Sequence, residues 1–104
     1  MDKYNVIIES TADSDLRGIL RYINETLKEP VTANRIYFSI KEKIESLNNF
    51  PQRYPFVRDE VLKLRGLRWM PAENYSVFFV INEAKYNVYI LRILYSRREW
   101  KNII

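Results

Sequence analysis

Residues 75–95 read YSVFFVINEAKYNVYILRILY, and this stretch decides the fold. Tyr75 to Asn82 and Tyr86 to Tyr95 are long runs rich in β-branched and aromatic residues, separated by the short loop Glu83-Ala84-Lys85. Such runs favour pleated strands, and a loop of this length folds them back into an antiparallel hairpin. Both runs are apolar on two faces, which places the hairpin at the centre of a sheet.

Working outward, Leu62 and Leu64 alternate with Lys63 and Arg65, Gly66 interrupts, and Leu67-Arg68-Trp69-Met70 runs up to Pro71. That pattern predicts another strand, with a bulge at the glycine and a stop at the proline. The two prolines in Phe50-Pro51-Gln52-Arg53-Tyr54-Pro55-Phe56 mark a turn-prone connection before it. In the first half, Lys3 to Glu9 alternates as an opening strand, and Ser10 and Thr11 can cap a helix that begins near Ala12. Leu16, Ile19, Leu20, Ile23 and Leu27 form one apolar stripe at helical spacing, ended by Glu29-Pro30. Thr32 can cap a second helix, whose stripe is Ala33, Ile36, Tyr37, Ile40, Ile44 and Leu47, stopped by Asn48-Asn49 and Pro51. Ser96 to Ile104 reads as a short terminal helix or an extended tail. The order β-α-α-β-β-β over residues 1–104 describes one α+β domain, a helical hairpin packed on one face of a mainly antiparallel sheet, with the other face partly open.

Composition narrows the chemistry. The 104 residues are 47% hydrophobic and 14% aromatic, enough for a small core. With no cysteine there is no disulfide, thiolate metal site or thiol nucleophile, and with no histidine the usual proton shuttle at neutral pH is missing. No metal or cofactor is expected. The apolar runs fall far short of the ~20 residues a membrane span needs, and the amino terminus lacks a signal-peptide pattern, so the expected location is the cytoplasm, with no membrane partner. Residues 1–52 carry seven basic and eight acidic side chains, whereas 53–104 carry ten basic and five acidic. Seven of those ten are arginines, whose planar forks suit phosphate or carboxylate partners.

Read together, the helical hairpin, the Leu47-Asn48-Asn49-Phe50-Pro51 junction, the run Leu67 to Phe79 and the closing Ile90-Leu91-Arg92-Ile93-Leu94-Tyr95-Ser96-Arg97-Arg98-Glu99-Trp100 resemble the RelE/ParE superfamily of bacterial type II toxins. The closing stretch is similar to the family's last strand, which carries one arginine and runs into a histidine or tyrosine, then a basic pair and an acid. The resemblance implies a small toxin held inactive by a cognate antitoxin. RelE-like members cut mRNA on the ribosome, and ParE-like members poison DNA gyrase; fold alone does not choose between them.

Metal-free RNA cleavage needs a base for the 2′-hydroxyl, cations for the phosphorane and an acid for the leaving oxygen. Arg68, Arg92 and Arg98 are the candidate phosphate contacts. Tyr95, where relatives carry histidine, is the candidate proton-transfer residue, a base only if cations lower its pKa. Arg65, Arg97 and Lys101 are candidate substrate contacts; Arg97 and Arg98 otherwise read as a solubilising terminus or as the basic pair that meets an acidic antitoxin segment. Glu60 and Glu73 offer a carboxylate base, or are ordinary exposed acids. Trp69 and Trp100 can stack on bases, or fill the core. Arg92 and Tyr95 are an odd number of residues apart, so they share a face only if the strand bulges or ends near Ile93. The leading expectation is a ribosome-dependent mRNA endonuclease, with ribosome and mRNA as partners; the alternatives are a gyrase poison without nuclease activity and a decayed toxin that only binds antitoxin.

Overall fold

The computed structural model describes residues 3–98, 100 and 104; Lys101 lies outside them. Four strands, β1 (Asn5–Ile8), β2 (Arg68–Ala72), β3 (Tyr75–Asn82) and β4 (Asn87–Tyr95), form one sheet in the order β1-β4-β3-β2. The hairpin β3-β4 is central, as its two-sided apolar character predicts. β2 pairs antiparallel with β3, and β1 lies parallel to β4. β2 runs through Pro71 to Ala72 instead of stopping before it, since the outer side of an edge strand needs no N–H there.

Two helices, α1 (Ser10–Arg21) and α2 (Pro30–Glu45), cover one face. Ala12, Leu16, Ile23, Ala33, Ile36, Ile40 and Ile44 from the helices meet Met70, Val77, Phe79, Val88, Ile90 and Ile93 from the sheet in the main core. The predicted stripes supply those residues, with one departure. After Arg21 the chain continues as a π-turn, Tyr22–Thr26, in which the Leu27 N–H donates five residues back to the Tyr22 carbonyl at 3.0 Å. The wider turn rotates Leu27 off the stripe and leaves it 47% exposed. The predicted caps also differ: α1 starts after Glu9 and α2 at Pro30, neither with a side-chain cap. The Thr11 hydroxyl instead donates to the Leu91 carbonyl at 2.8 Å.

Residues 60–65 correct the strand reading. Glu60–Leu64 is a short helix, α3, capped by the Asp59 carboxylate, which accepts the Leu62 N–H at 3.1 Å. Gly66 has φ of 84° and ends it: its N–H donates to the Lys63 carbonyl, and the Leu67 N–H to the Leu62 carbonyl. That pair of bonds is a Schellman stop, so the glycine terminates a helix and does not bulge a strand. The segment covers much of the face opposite the helical hairpin. Val57, Leu67, Phe78 and Leu94 are buried there, with Trp69 and Trp100 packed around them and the Trp100 ring 5.0 Å from Phe78. Both indoles therefore serve packing.

Glu73 occupies the β2-β3 turn at a φ of 56°, where it accepts from the Ser39 hydroxyl at 2.7 Å and from Arg35 Nη1 at 2.9 Å, tying the sheet to α2. The Ser39 hydrogen bond, and then that of Arg35, hold its carboxyl below the ordinary carboxylate range. A depressed folded-state pKa stabilises above the unfolded pKa, and the contribution is lost as pH falls through the folded value. Glu73→Gln is therefore expected to cost less than about 1 kcal/mol at neutral pH, because the Arg35 partner is exposed. The difference from the parent should vanish as unfolding is followed down through the acid range.

Candidate functional site

β1 stops at Ile8, opposite Ile90, so residues 91–95 of β4 have β3 on one side and no strand on the other. The start of α1 takes that place. The Glu9 N–H donates to the Ile90 carbonyl at 3.0 Å, Thr11 Oγ1 to the Leu91 carbonyl, and the Asp15 carboxylate accepts the Ile93 N–H at 2.9 Å. The same carboxylate takes Arg92 Nε at 2.8 Å and Nη2 at 2.9 Å. Asp15 thus neutralises a charge and completes a strand edge with one group, and its hydrogen bonds raise the Arg92 pKa further. The register slips at Phe78/Phe79, leaving Leu91 as the extra residue of a bulge.

Beyond that edge the wall of α1 and the end of β4 diverge around a groove of about 770 Å³. Ile19, Ile23, Ile36 and Ile93 line it, together with Tyr75, Arg98 and the exposed side chains of Tyr22, Leu27 and Tyr95. The Tyr75 and Tyr95 rings are 6.0 Å apart, edge to face. Burial, then the neighbouring phenols of Tyr95 and Tyr22, push the Tyr75 pKa up. Arg98 is set by the turn after β4, in which its N–H donates to the Tyr95 carbonyl while the Ser96 N–H donates to the Asn74 carbonyl.

The expected constellation is brought together only in part. Tyr95 and Arg98 share the groove. The bulge precedes Arg92, and pairing from Arg92 to Tyr95 is regular, so those two side chains remain on opposite faces. Arg92 is not among the lining residues but is bonded to Asp15, which is. Arg68 lies on the far edge strand, where Nη1 donates to the Tyr54 carbonyl at 2.7 Å and the guanidinium sits 3.9 Å from the centre of the Phe56 ring. Burial lowers its pKa, opposed by the Glu83 carboxylate. Arg65 caps the end of α3 and Arg97 is exposed on the closing turn beside Arg98; neither is among the lining residues. Glu60 is exposed at the start of α3, and Glu73 is committed to Arg35 and Ser39. Among the described residues, no group of three His, Cys, Asp or Glu is placed to hold a metal ion.

Sequence reasoning missed Asp15, Tyr22 and Gly18. Gly18 was open to recognition, being a glycine in the middle of an amphipathic helix pattern. A Cβ built on it meets nothing within 4 Å, so no contact among the described residues requires a glycine. Gly18→Ala is expected to stabilise the protein by about 0.5–1 kcal/mol and raise the melting temperature by roughly 3–6 °C, read by thermal unfolding.

No curated protein sequence matches the chain. A chromosomal ParDE toxin–antitoxin system from P. aeruginosa is similar over 89% of this chain and 96% of that one, at TM-score 0.73 and 22% identity. The toxin–antitoxin complex RelBE2 from Mycobacterium tuberculosis is similar over 91% and 93%, at TM-score 0.64 and 21% identity. At those identities the likeness speaks for the fold, and it matches the helical hairpin on a four-stranded mixed sheet described above. The family model for the ParE toxin of the type II toxin–antitoxin system parDE spans residues 6–100, and the chain belongs to that family, within the RelE/ParE superfamily.

Proposed function

We propose that this protein is the toxin of a type II pair, held inactive by a cognate antitoxin in the cytoplasm, and that it acts by binding DNA gyrase without cutting nucleic acid. The observation that carries the reading is the commitment of its arginines. Arg92 is bound to Asp15 and Arg68 to the loop carbonyls, which leaves Tyr95 and Arg98 in the groove without a ready base among the described residues. Tyr75 beside them is made harder to ionise, the reverse of what proton abstraction at neutral pH needs. The match to the ParE family supports the same choice.

The mRNA endonuclease expected from sequence is the second reading, supported by the meeting of Tyr95 and Arg98 in one groove. Expression in a bacterial host separates the two. Under the first reading, gyrase-linked DNA breaks accumulate while translation continues and mRNA 5′ ends stay unchanged; new 5′ ends on translating mRNA would favour the nuclease. Tyr95→Phe adds an independent arm, since it keeps the ring and removes the transferable proton. A binding toxin should stay toxic with this change, and a nuclease that uses the phenol should not.

A further inference from the structure

We infer that α3 is the surface by which the toxin engages DNA gyrase, offering Val61 and Leu64 as an apolar centre among the cations Arg58, Lys63 and Arg65 to a protein surface with an apolar pocket and an acidic border. This rests on the gyrase reading above and adds to it the place of contact.

Three observations carry it. First, α3 presents its side chains more than it buries them. The Asp59 cap fixes its start and the Schellman stop at Gly66 its end, yet none of its five residues is fully buried, and it is Leu62 that packs against the cluster of Val57, Leu67, Phe78 and Leu94. With about 100° between successive residues, Leu62 turned to the sheet puts Leu64 on the crest, Val61 and Arg65 on one flank and Lys63 on the other. Second, Leu64 is 88% exposed and Val61 60%. Two aliphatic side chains held side by side in water on a rigid turn mark a contact surface. Third, the charge is one-sided. Arg58, Lys63 and Arg65 are exposed and make no ion pair among the described residues, whereas Asp59 serves as the cap and Glu60 is the acid left exposed.

That charge decides the occupant. A second copy laid face to face would set cations against cations. Phosphates would answer the cations and leave Leu64 and Val61 in water. An apolar pocket with an acidic border answers both, with a dry centre inside a polar rim. None of these residues lines the groove beside α1, so the surface is separate from it.

The experiment titrates the full-length toxin into purified DNA gyrase and reads both binding and inhibition of supercoiling. Leu64→Asp should fold, with a melting temperature within about 3 °C of the parent because the side chain is exposed, and should weaken binding at least about 30-fold. Arg65→Glu should weaken it about tenfold, with the difference shrinking in high salt. Phe38→Asp, at an exposed aromatic on α2, is the control and should bind like the parent. Parental affinity in folded Leu64→Asp overturns the assignment while the gyrase reading stands. Equal losses in Leu64→Asp and Phe38→Asp overturn it as well, since the effect is then one of general surface hydrophobicity. So does a parallel loss of affinity for a bare DNA duplex, which gives the cations to phosphate. A parent toxin that neither binds nor inhibits gyrase overturns the gyrase reading and this contact with it.

Discussion

Truncating Phe79 to alanine is expected to remove about 3–5 kcal/mol of stability, a large part of the ~5–15 kcal/mol that holds a domain of this size folded. Phe79 is fully buried in β3, between Arg68 on β2 and Ile90 on β4, and its ring meets that of Tyr54 edge to face at 6.4 Å. The core side chains around it come from a sheet and two helices that are fixed by their own contacts, so the cavity cannot close by a local shift. The loss combines the lost transfer energy of the ring with the cavity left behind. Urea unfolding should show the midpoint falling by one to several molar, with the slope unchanged. A shift of less than half a molar would mean that the Tyr54 loop collapses into the space.

Asp15→Ala should cost about 2–4 kcal/mol, far more than an ordinary surface ion pair. The carboxylate and its partner are only 15% and 24% exposed, and three donors converge on the one acid. Removing it takes the carboxylate away from a half-buried guanidinium and the acceptor away from the Ile93 N–H. Asp15→Asn should be milder, because its amide oxygen can still accept from Ile93 while the ion pair with Arg92 is lost. Amide exchange at Ile93 measures this directly, faster in Asp15→Ala than in Asp15→Asn. If the two variants exchange at equal rates, the Ile93 bond contributes little and the ion pair alone matters. Because Ile93 leads into Tyr95 and Arg98, loosening this edge is also expected to weaken whatever the groove binds.

Long periodic segments were legible from the residues alone. The stripes of the two helices and the two-sided runs of the central hairpin each carry many positions, and burial confirms nearly all of them. Short segments were not. Leu62-Lys63-Leu64-Arg65 fits a strand period as well as a single helical turn, and Asp59 with Gly66 decides it only through caps that lie outside the four residues. A π-turn costs one residue of phase and has no compositional mark, so Leu27 was expected inside and is half exposed. The parallel seat of β1 beside β4 depends on the whole hairpin crossing between them, which a local pattern does not encode.

The sequence by itself determined the class of fold, the exclusion of thiol and imidazole chemistry, and the placement of arginine excess in the second half, because these depend on composition and on periods within one element. Only the tertiary structure decided which of those arginines are held by groups within the fold. The partner of Arg92 lies 77 residues away, and those of Arg68 lie 14 and 16 residues back in an irregular loop. Whether a guanidinium is spent inside the fold or offered to another molecule is a matter of long-range pairing, and no spacing within a strand carries that information.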